Sequence, residues 1–368
     1  MTKVTNDDLV LAAKQLDRAR RENARVKKLN QGLIVVENKH DDFLEELARV
    51  MGKEAKRPVA KFAKPKAINT KHTEVAVKAV SDLHLTEVVN QDECNGINKY
   101  NVMIAAKRLW KDVQASEKIL KIHGSVYTIE KVVALVLGDM ISGTIHPEQI
   151  TTNELSDPAA VILCARLMAI YFRELSKLGI PIELECIHGN HPRMSAKMPT
   201  KKQAHTNLDW LIYEMLKTDL ERDGIVVNVH KSQMALKKIY NHTYAFEHGI
   251  GVASGKEEDF EDRVRAMFDD PVYRKATGHT GASFDQLVIG NMHKPKFLER
   301  TVVNAAYVGQ NELGQSWRLK PISPKQLMWG VSKDHPRTWE YMIDVDTISE
   351  KADNPISDYA AWFLRNNN

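Results

Sequence analysis

Aspartate, histidine and asparagine recur in this chain at the ends of short apolar runs. VAVKAV (75–80) leads into Ser81-Asp82-Leu83-His84. VVALVL (132–137) leads into Gly138-Asp139, and IELECI (182–187) into His188-Gly189-Asn190-His191. TYAF (243–246) meets Glu247-His248-Gly249, and DQLVI (285–289) meets Gly290-Asn291-Met292-His293. Asp, His and Asn without Cys make a hard-to-borderline donor set, suited to Mn, Fe, Zn or Mg. Asp82 and His84 stand two residues apart at a strand end, so both can face one side. Asp139 can bridge two ions through its two oxygens, and ions about 3.5–4 Å apart clamp phosphate oxygens and activate water near neutral pH. One such histidine among the 14 in the chain would be an ordinary core or surface residue. Five strand-end motifs in series are much harder to dismiss.

The elements that must position these groups follow from the same pattern. Short β-rich apolar runs predict buried strands. Open α/β sheets place ligands just beyond the carboxyl ends of their strands. Helical stretches alternate with the runs. One covers 97–122, with Val102, Ala106, Leu109 and Val113 on one face; another runs from Asp157-Pro158 to Gly179, and a third from about Asn207 to Gly224. Strand–helix alternation predicts an α/β fold.

In this order the motifs resemble those of the calcineurin-like metallophosphoesterases: DxH, GD, GNH, a later H, then GHxH. The resemblance covers about 72–345. Within the family it is most similar to uncharacterised phage-encoded members, which share GDxxSGxIH (here Gly138 to His146), GNHxR (Gly189 to Arg193) and VNxxxxG (Val303-Asn304 to Gly309). The resemblance implies a four-layer α/β/β/α sandwich with two mixed sheets, and 328–346 then reads as a closing hairpin of the second sheet. It implies that Asp82, His84, Asp139 and His293 hold one metal ion. Asp139, Asn190 and His248 would hold a second, with Asp139 as the bridge. The pair would be divalent, Mn2+ first, with Zn2+, Fe2+ and Mg2+ as alternatives. His191 would be the catalytic histidine that is not a ligand, with Arg193 and His146 facing substrate phosphate. Arg193 reads equally as a surface salt bridge, and His146 and His188 as partners that orient the ligands. His205 is either near substrate or a helix-start residue. One position departs from the pattern: Asn291 stands where GHxH has its first His. Either Asn291 or a water fills that place, or His279 substitutes from a nearby loop.

Composition bounds the rest. The chain has 368 residues, 43% hydrophobic and 27% charged, which allows a real core and excludes a fully disordered chain. It contains no apolar run of the ~18 residues a membrane span needs, and the N-terminus has no apolar secretory core. Cys94, Cys164 and Cys186 lie far apart, excluding a disulfide framework and fitting a reducing cytoplasm, a host's if the chain is phage-encoded. Charge is uneven: residues 1–80 hold 18 Lys and Arg against 11 Asp and Glu, whereas the whole chain holds 52 against 48. The expected organisation is a helical N-terminal extension (1–52), a basic linker (53–71) and a metallophosphoesterase domain (72–368). Segments 7–29 and 41–51 are the expected helices, packing on the domain or joining copies in a homo-oligomer. Three functions are compatible. The first is a phosphodiesterase on nucleic acid, a nuclease acting on DNA. The second is a phosphodiesterase or phosphatase on small nucleotides or cyclic nucleotides. The third is a non-catalytic binding module with a degenerate site.

Overall fold

Val75, Val77 and Ala79 of the first apolar run point to one face and Ala76 and Val80 to the other, and both sets are buried. The second run repeats this, with Val133, Leu135 and Leu137 against Val132, Ala134 and Val136. A strand buried on both faces needs a layer on each side. The computed structural model describes residues 72–250 except 196 and 200, residues 284–346 except 317, 319 and 322, residues 354–367, and the single positions 27, 260, 262 and 264. The chain divides into two units, Met1–Ile68 and Asn69–Asn368. The helices expected over 7–29 and 41–51, and the basic linker, lie outside the described residues apart from Lys27.

In the second unit the order is β1 (Thr73–Val80), α1 (Val102–Gly124), β2 (Thr128–Val136), α2 (Asp157–Ser176), β3 (Ile182–Cys186), α3 (Leu208–Leu220) and β4 (Val226–Val229). There follow β5 (Met234–Ile239), β6 (His242–Glu247), β7 (Gln286–Ile289), β8 (Lys296–Phe297), β9 (Thr301–Val303), β10 (Lys325–Val331), β11 (Glu340–Asp344) and α4 (Pro355–Asn367). The first sheet has the order β11-β10-β1-β2-β3-β4 and the second β5-β6-β7-β9-β8. Both are mixed. β1 to β4 run parallel, with β10 antiparallel to β1; β6, β7 and β9 run parallel, with β5 and β8 antiparallel at the edges.

These four longer helices cover one face of the first sheet, through residues such as Leu109, Phe172, Leu216 and Phe363. Val77, Leu135, Tyr244, Phe246, Val288 and Trp329 fill the space between the sheets. Ala245, Leu287 and Ile289 face the far side, against the helical positions Phe260 and Val264. This is the α/β/β/α sandwich expected from the sequence. Among the described residues no helix is long and apolar enough to cross a membrane.

Three expectations need correction. The hairpin β10–β11 closes the first sheet, not the second, because β10 pairs with β1 from Val75↔Val331 to Lys78↔Met328. The first helix starts at Val102, not 97. The Asn101 side chain accepts from the Ile104 N–H at 2.9 Å and caps it there, while Asn98 is spent on the Val308 and Gln310 carbonyls. For α2 the pair Asp157-Pro158 reads from the sequence as cap and first helical residue, but Ser156 holds the capping position and Asp157 is already helical.

Candidate metal centre

The loops after β1, β2, β3, β6 and β7 meet at one end of the sandwich. Asp82 and His84 follow β1, Asp139 follows β2, and Asn190 and His191 follow β3. His248 follows β6, and Asn291 and His293 follow β7. The parallel pairing of β1, β2 and β3, and of β6 and β7, is what puts these ends together. Asp82, His84, Asp139, Asn291 and His293 have φ between 46° and 61°, a left-handed backbone that non-glycine residues rarely adopt. Backbone bonds hold them there. The Asp82 N–H donates to the Gly138 carbonyl and the His84 N–H to the Asp139 carbonyl, both at 3.0 Å. The glycines allow the close approach: a Cβ on Gly138 would lie 2.3 Å from the Gly189 nitrogen, and one on Gly189 2.1 Å from Asp139 Oδ1.

Two groups of ligating atoms result, each with its members within 4.8 Å of one another: Asp82, His84 and His293, and Asp82, Asp139 and His248. His293 Nε2 is 3.4 Å from Asp82 Oδ1, and His84 Nε2 is 3.9 Å from Asp139 Oδ2. His248 Nε2 lies 3.0 Å from Asp139 Oδ2 and 2.9 Å from Asn190 Oδ1, while its Nδ1 is 2.7 Å from the Leu137 carbonyl. Both Asp82 and Asp139 therefore reach across the two groups.

The residues present suit divalent ions. Asp82, His84, Asp139 and His248 are at most 1% exposed. Both ring nitrogens of His84 and Oδ2 of Asp139 are buried without a well-formed hydrogen bond. Such atoms call for a partner, and oxygen and imidazole donors are what Mn, Fe or Zn takes. Burial, and then the neighbouring His191, push His84 down to about 3, so its imidazole is neutral, the ligating form. Burial alone would raise the Asp139 carboxyl, but the His248 and His191 rings outweigh it and hold Asp139 below the usual carboxylate range. Burial likewise disfavours a charged His248, yet the Asp139 carboxylate prevails and raises it to about 10.

The remaining expected residues sit around this centre. The His191 N–H donates to Asp139 Oδ1 at 2.8 Å, its ring centroid is 4.8 Å from that of His84, and its Nδ1 has no partner. The exposed His146 ring lies 5.9 Å from it. Arg193 is turned onto its own loop, donating to the Asn190 carbonyl at 2.7 Å and the Ser195 carbonyl at 3.0 Å. His188 is buried behind the centre, and His205 packs its ring on Trp210. Asn291 meets Asp82 through its backbone N–H, at 3.1 Å from Oδ1. His279 lies outside the described residues.

Three contributors were not singled out from the sequence. Asp209 is fully buried and accepts the N–H groups of Asp139 (2.9 Å), Met140 (3.1 Å) and Gly189 (2.9 Å). Burial and the Asp139 charge push its carboxyl up to about 7 despite those bonds. Asn207 caps α3 by accepting the Asp209 N–H and donates to the Gly189 carbonyl, both at 2.9 Å. The one signal available was that Asp209 is the only acidic residue between Glu185 and Glu214. Glu87 is the third contributor, with Oε2 3.8 Å from His84 Nδ1 and Oε1 accepting from Asn311 at 2.8 Å.

The weak VNxxxxG signal also has a physical basis. Buried Asn304 donates to Ser81 Oγ (2.8 Å) and Gln326 Oε1 (2.7 Å), and accepts the Leu327 N–H (3.0 Å). Its own N–H donates to the Ile289 carbonyl at 2.7 Å, which ties the end of β7 to β1 and β10. Farther along, the Tyr307 N–H donates to the Asp82 carbonyl. The Tyr307 hydroxyl reaches Asp112, which pairs with Lys78 at 3.0 Å with both side chains 0% exposed.

No protein family's sequence profile matches the chain, and no curated protein matches it. Solved structures with a similar arrangement include the calcineurin-like phosphoesterase YfkN from Bacillus subtilis, at 10% identity and a TM-score of 0.38, covering 80% of this chain and 98% of that one. Vps29 complexed with zinc from Entamoeba histolytica is another, at 10% identity and a TM-score of 0.28, covering 74% and 99%. A conserved uncharacterised protein from Streptococcus pneumoniae, a predicted phosphoesterase, is a third, at 9% and 0.25, covering 73% and 98%.

Proposed function

We propose that the protein is a metal-dependent phosphoesterase that hydrolyses phosphodiester bonds, with nucleic acid as its substrate. The supporting observation is the convergence of Asp82, His84, Asp139, His248 and His293, from four loops and both sheets, on one largely buried point where both ring nitrogens of His84 have no hydrogen-bond partner. Asp82, His84, Asp139 and His293 would hold one ion, and Asp139, Asn190 and His248 the other, with Asn291 beside them. Two bound divalent ions would supply Lewis acidity toward phosphate oxygens and lower the pKa of water. The chain's own part is orientation and proton transfer. Asp139 fixes the His191 backbone through its N–H, which sets the imidazole against the cluster without making it a ligand. From there His191 would protonate the leaving oxygen. The exposed His146 ring, 5.9 Å from that of His191, would face substrate phosphate.

The nucleic-acid reading draws support from the basic excess of residues 1–80. Asn291, a neutral donor in a ligand position, favours a second reading, a binding module without turnover. The deciding experiment is an activity matrix. Purified protein is loaded in turn with Mn2+, Zn2+, Fe2+ and Mg2+ and offered bis(p-nitrophenyl) phosphate, single-stranded DNA, duplex DNA and cyclic nucleotides. Mn2+-dependent release of p-nitrophenol and cleavage of DNA are expected. Cleavage confined to cyclic nucleotides replaces the polymer by a small substrate, and no turnover with any ion favours the binding module.

A further inference from the structure

Beyond His191 the chain enters a loop with an unusual charge content. From Cys186 to Leu208 it carries Arg193, Lys197, Lys201 and Lys202 and no Asp or Glu. The loop is closed at its base. The Met194 N–H donates to the Thr206 carbonyl at 2.9 Å, the Leu208 N–H donates to the Pro192 carbonyl at 2.8 Å, and Arg193 and Asn207 form an antiparallel bridge. Both feet stand on the metal centre: Asn190 and His191 precede one, and Asn207 and Asp209, which hold Gly189 and Asp139, follow the other. Within the loop the Thr206 N–H also donates to the Lys202 carbonyl at 3.2 Å, and Lys202 takes a left-handed φ of 54°. Lys197, Lys201, Lys202 and His205 are exposed. None of the three lysines pairs with a carboxylate among the described residues.

We propose that this loop grips the backbone phosphates of a polynucleotide next to the scissile bond. The inference rests on the phosphoesterase reading and names the surface that selects its substrate class. A dinuclear centre reads only the phosphate it cleaves. Cations on a loop rooted at it would add affinity in proportion to the neighbouring phosphates, of which a strand offers one per nucleotide and a mononucleotide none. The contact is to the backbone, so it carries charge recognition rather than base sequence.

The test compares the full-length wild type with a Lys197→Ser/Lys201→Ser/Lys202→Ser variant. All three side chains are exposed, so the variant folds, and a matching melting temperature verifies this. Fluorescence anisotropy follows the binding of a labelled single-stranded oligonucleotide to metal-free protein over a range of salt. The expected result is at least about tenfold weaker binding at low salt and a log K against log salt slope smaller by about 2, at about 0.7 per lost phosphate contact. Deoxy- and ribo-oligonucleotides of one sequence separate the two sources of the same backbone charge. In the Mn2+-loaded enzyme the ratio of kcat/KM for the oligonucleotide to that for bis(p-nitrophenyl) phosphate falls by a similar factor. An unchanged salt slope overturns the loop assignment even where the metal centre is active. A wild type that binds the strand through these lysines yet hydrolyses neither substrate leaves the loop in place and overturns the phosphoesterase reading.

Discussion

At the scale of single residues, the centre is built from backbone conformations that are unfavourable in isolation. Five left-handed residues gather in it, at roughly 1–3 kcal/mol each, and they persist because loop-to-loop bonds leave them no alternative. Asp139 is involved twice, through its carboxylate in the cluster and through its N–H on Asp209. Asp139→Asn keeps the shape but removes the charge that an ion needs. Metal titration calorimetry should show uptake falling at least about a hundredfold, with hydrolysis falling alongside it. His191→Ala should keep metal affinity and lower kcat by about 10²–10⁴, as loss of a proton donor does; a large loss of metal affinity would make His191 a ligand instead. Asp209→Ala leaves three buried N–H groups without an acceptor, at about 1–3 kcal/mol apiece. Denaturant unfolding should show a loss of about 3 kcal/mol or more. Metal affinity should drop too, and an unaltered ion titration would mean that Asp209 does not position the Asp139 and Gly189 loops.

At the scale of elements, the apolar runs 75–80, 132–137 and 182–187 were readable as strands because both faces are buried and polar residues stop them abruptly. The third is less uniform than it looks. Ile182, Leu184 and Cys186 face the helices, whereas Glu183 and Glu185 face the edge of the second sheet, where Lys237 of β5 pairs with both. Lys131 adds to Glu183 at 2.7 Å, and His230 to Glu185 at 2.6 Å. Burial would raise both carboxyls, but their hydrogen-bonded partners — Lys131 and Lys237 for Glu183, His230 and Lys237 for Glu185 — hold them below the ordinary value of 4.5. A lowered folded value gives stability that is present above 4.5 and fades as pH drops through the folded values. Lys237→Met should therefore cost about 2 kcal/mol at pH 7. The gap to wild type should narrow steadily in urea unfolding below pH 4.5, and a gap independent of pH would separate Lys237 from these carboxylates. What the sequence hid is long-range. Asp209 looks like an ordinary first-turn helix residue, because its three partners lie 20 to 70 positions away. The pattern of β10 and β11 tells which faces are buried but not which neighbour they pair with, so their hairpin was placed on the wrong sheet.

At the scale of the whole domain, the proposed ligands are divided between the sheets. Asp82, His84, Asp139 and Asn190 belong to loops of the first, and His248, Asn291 and His293 to loops of the second. An ion held by both sets binds the folded state and not the unfolded chain. At a hundredfold excess over Kd it should add about 2.7 kcal/mol. Differential scanning calorimetry with and without Mn2+ should show a rise of several degrees that a chelator reverses. A melting temperature indifferent to every divalent ion tried would argue against a shared site.

The side chains between the sheets then act as a caliper. Phe246, Val288 and Trp329 are buried between the two sheets, and their combined thickness should govern how far His248 and His293 stand from Asp82 and Asp139. Trimming one of them would retune the gap between the jaws, and with it the radius of cation that the protein prefers.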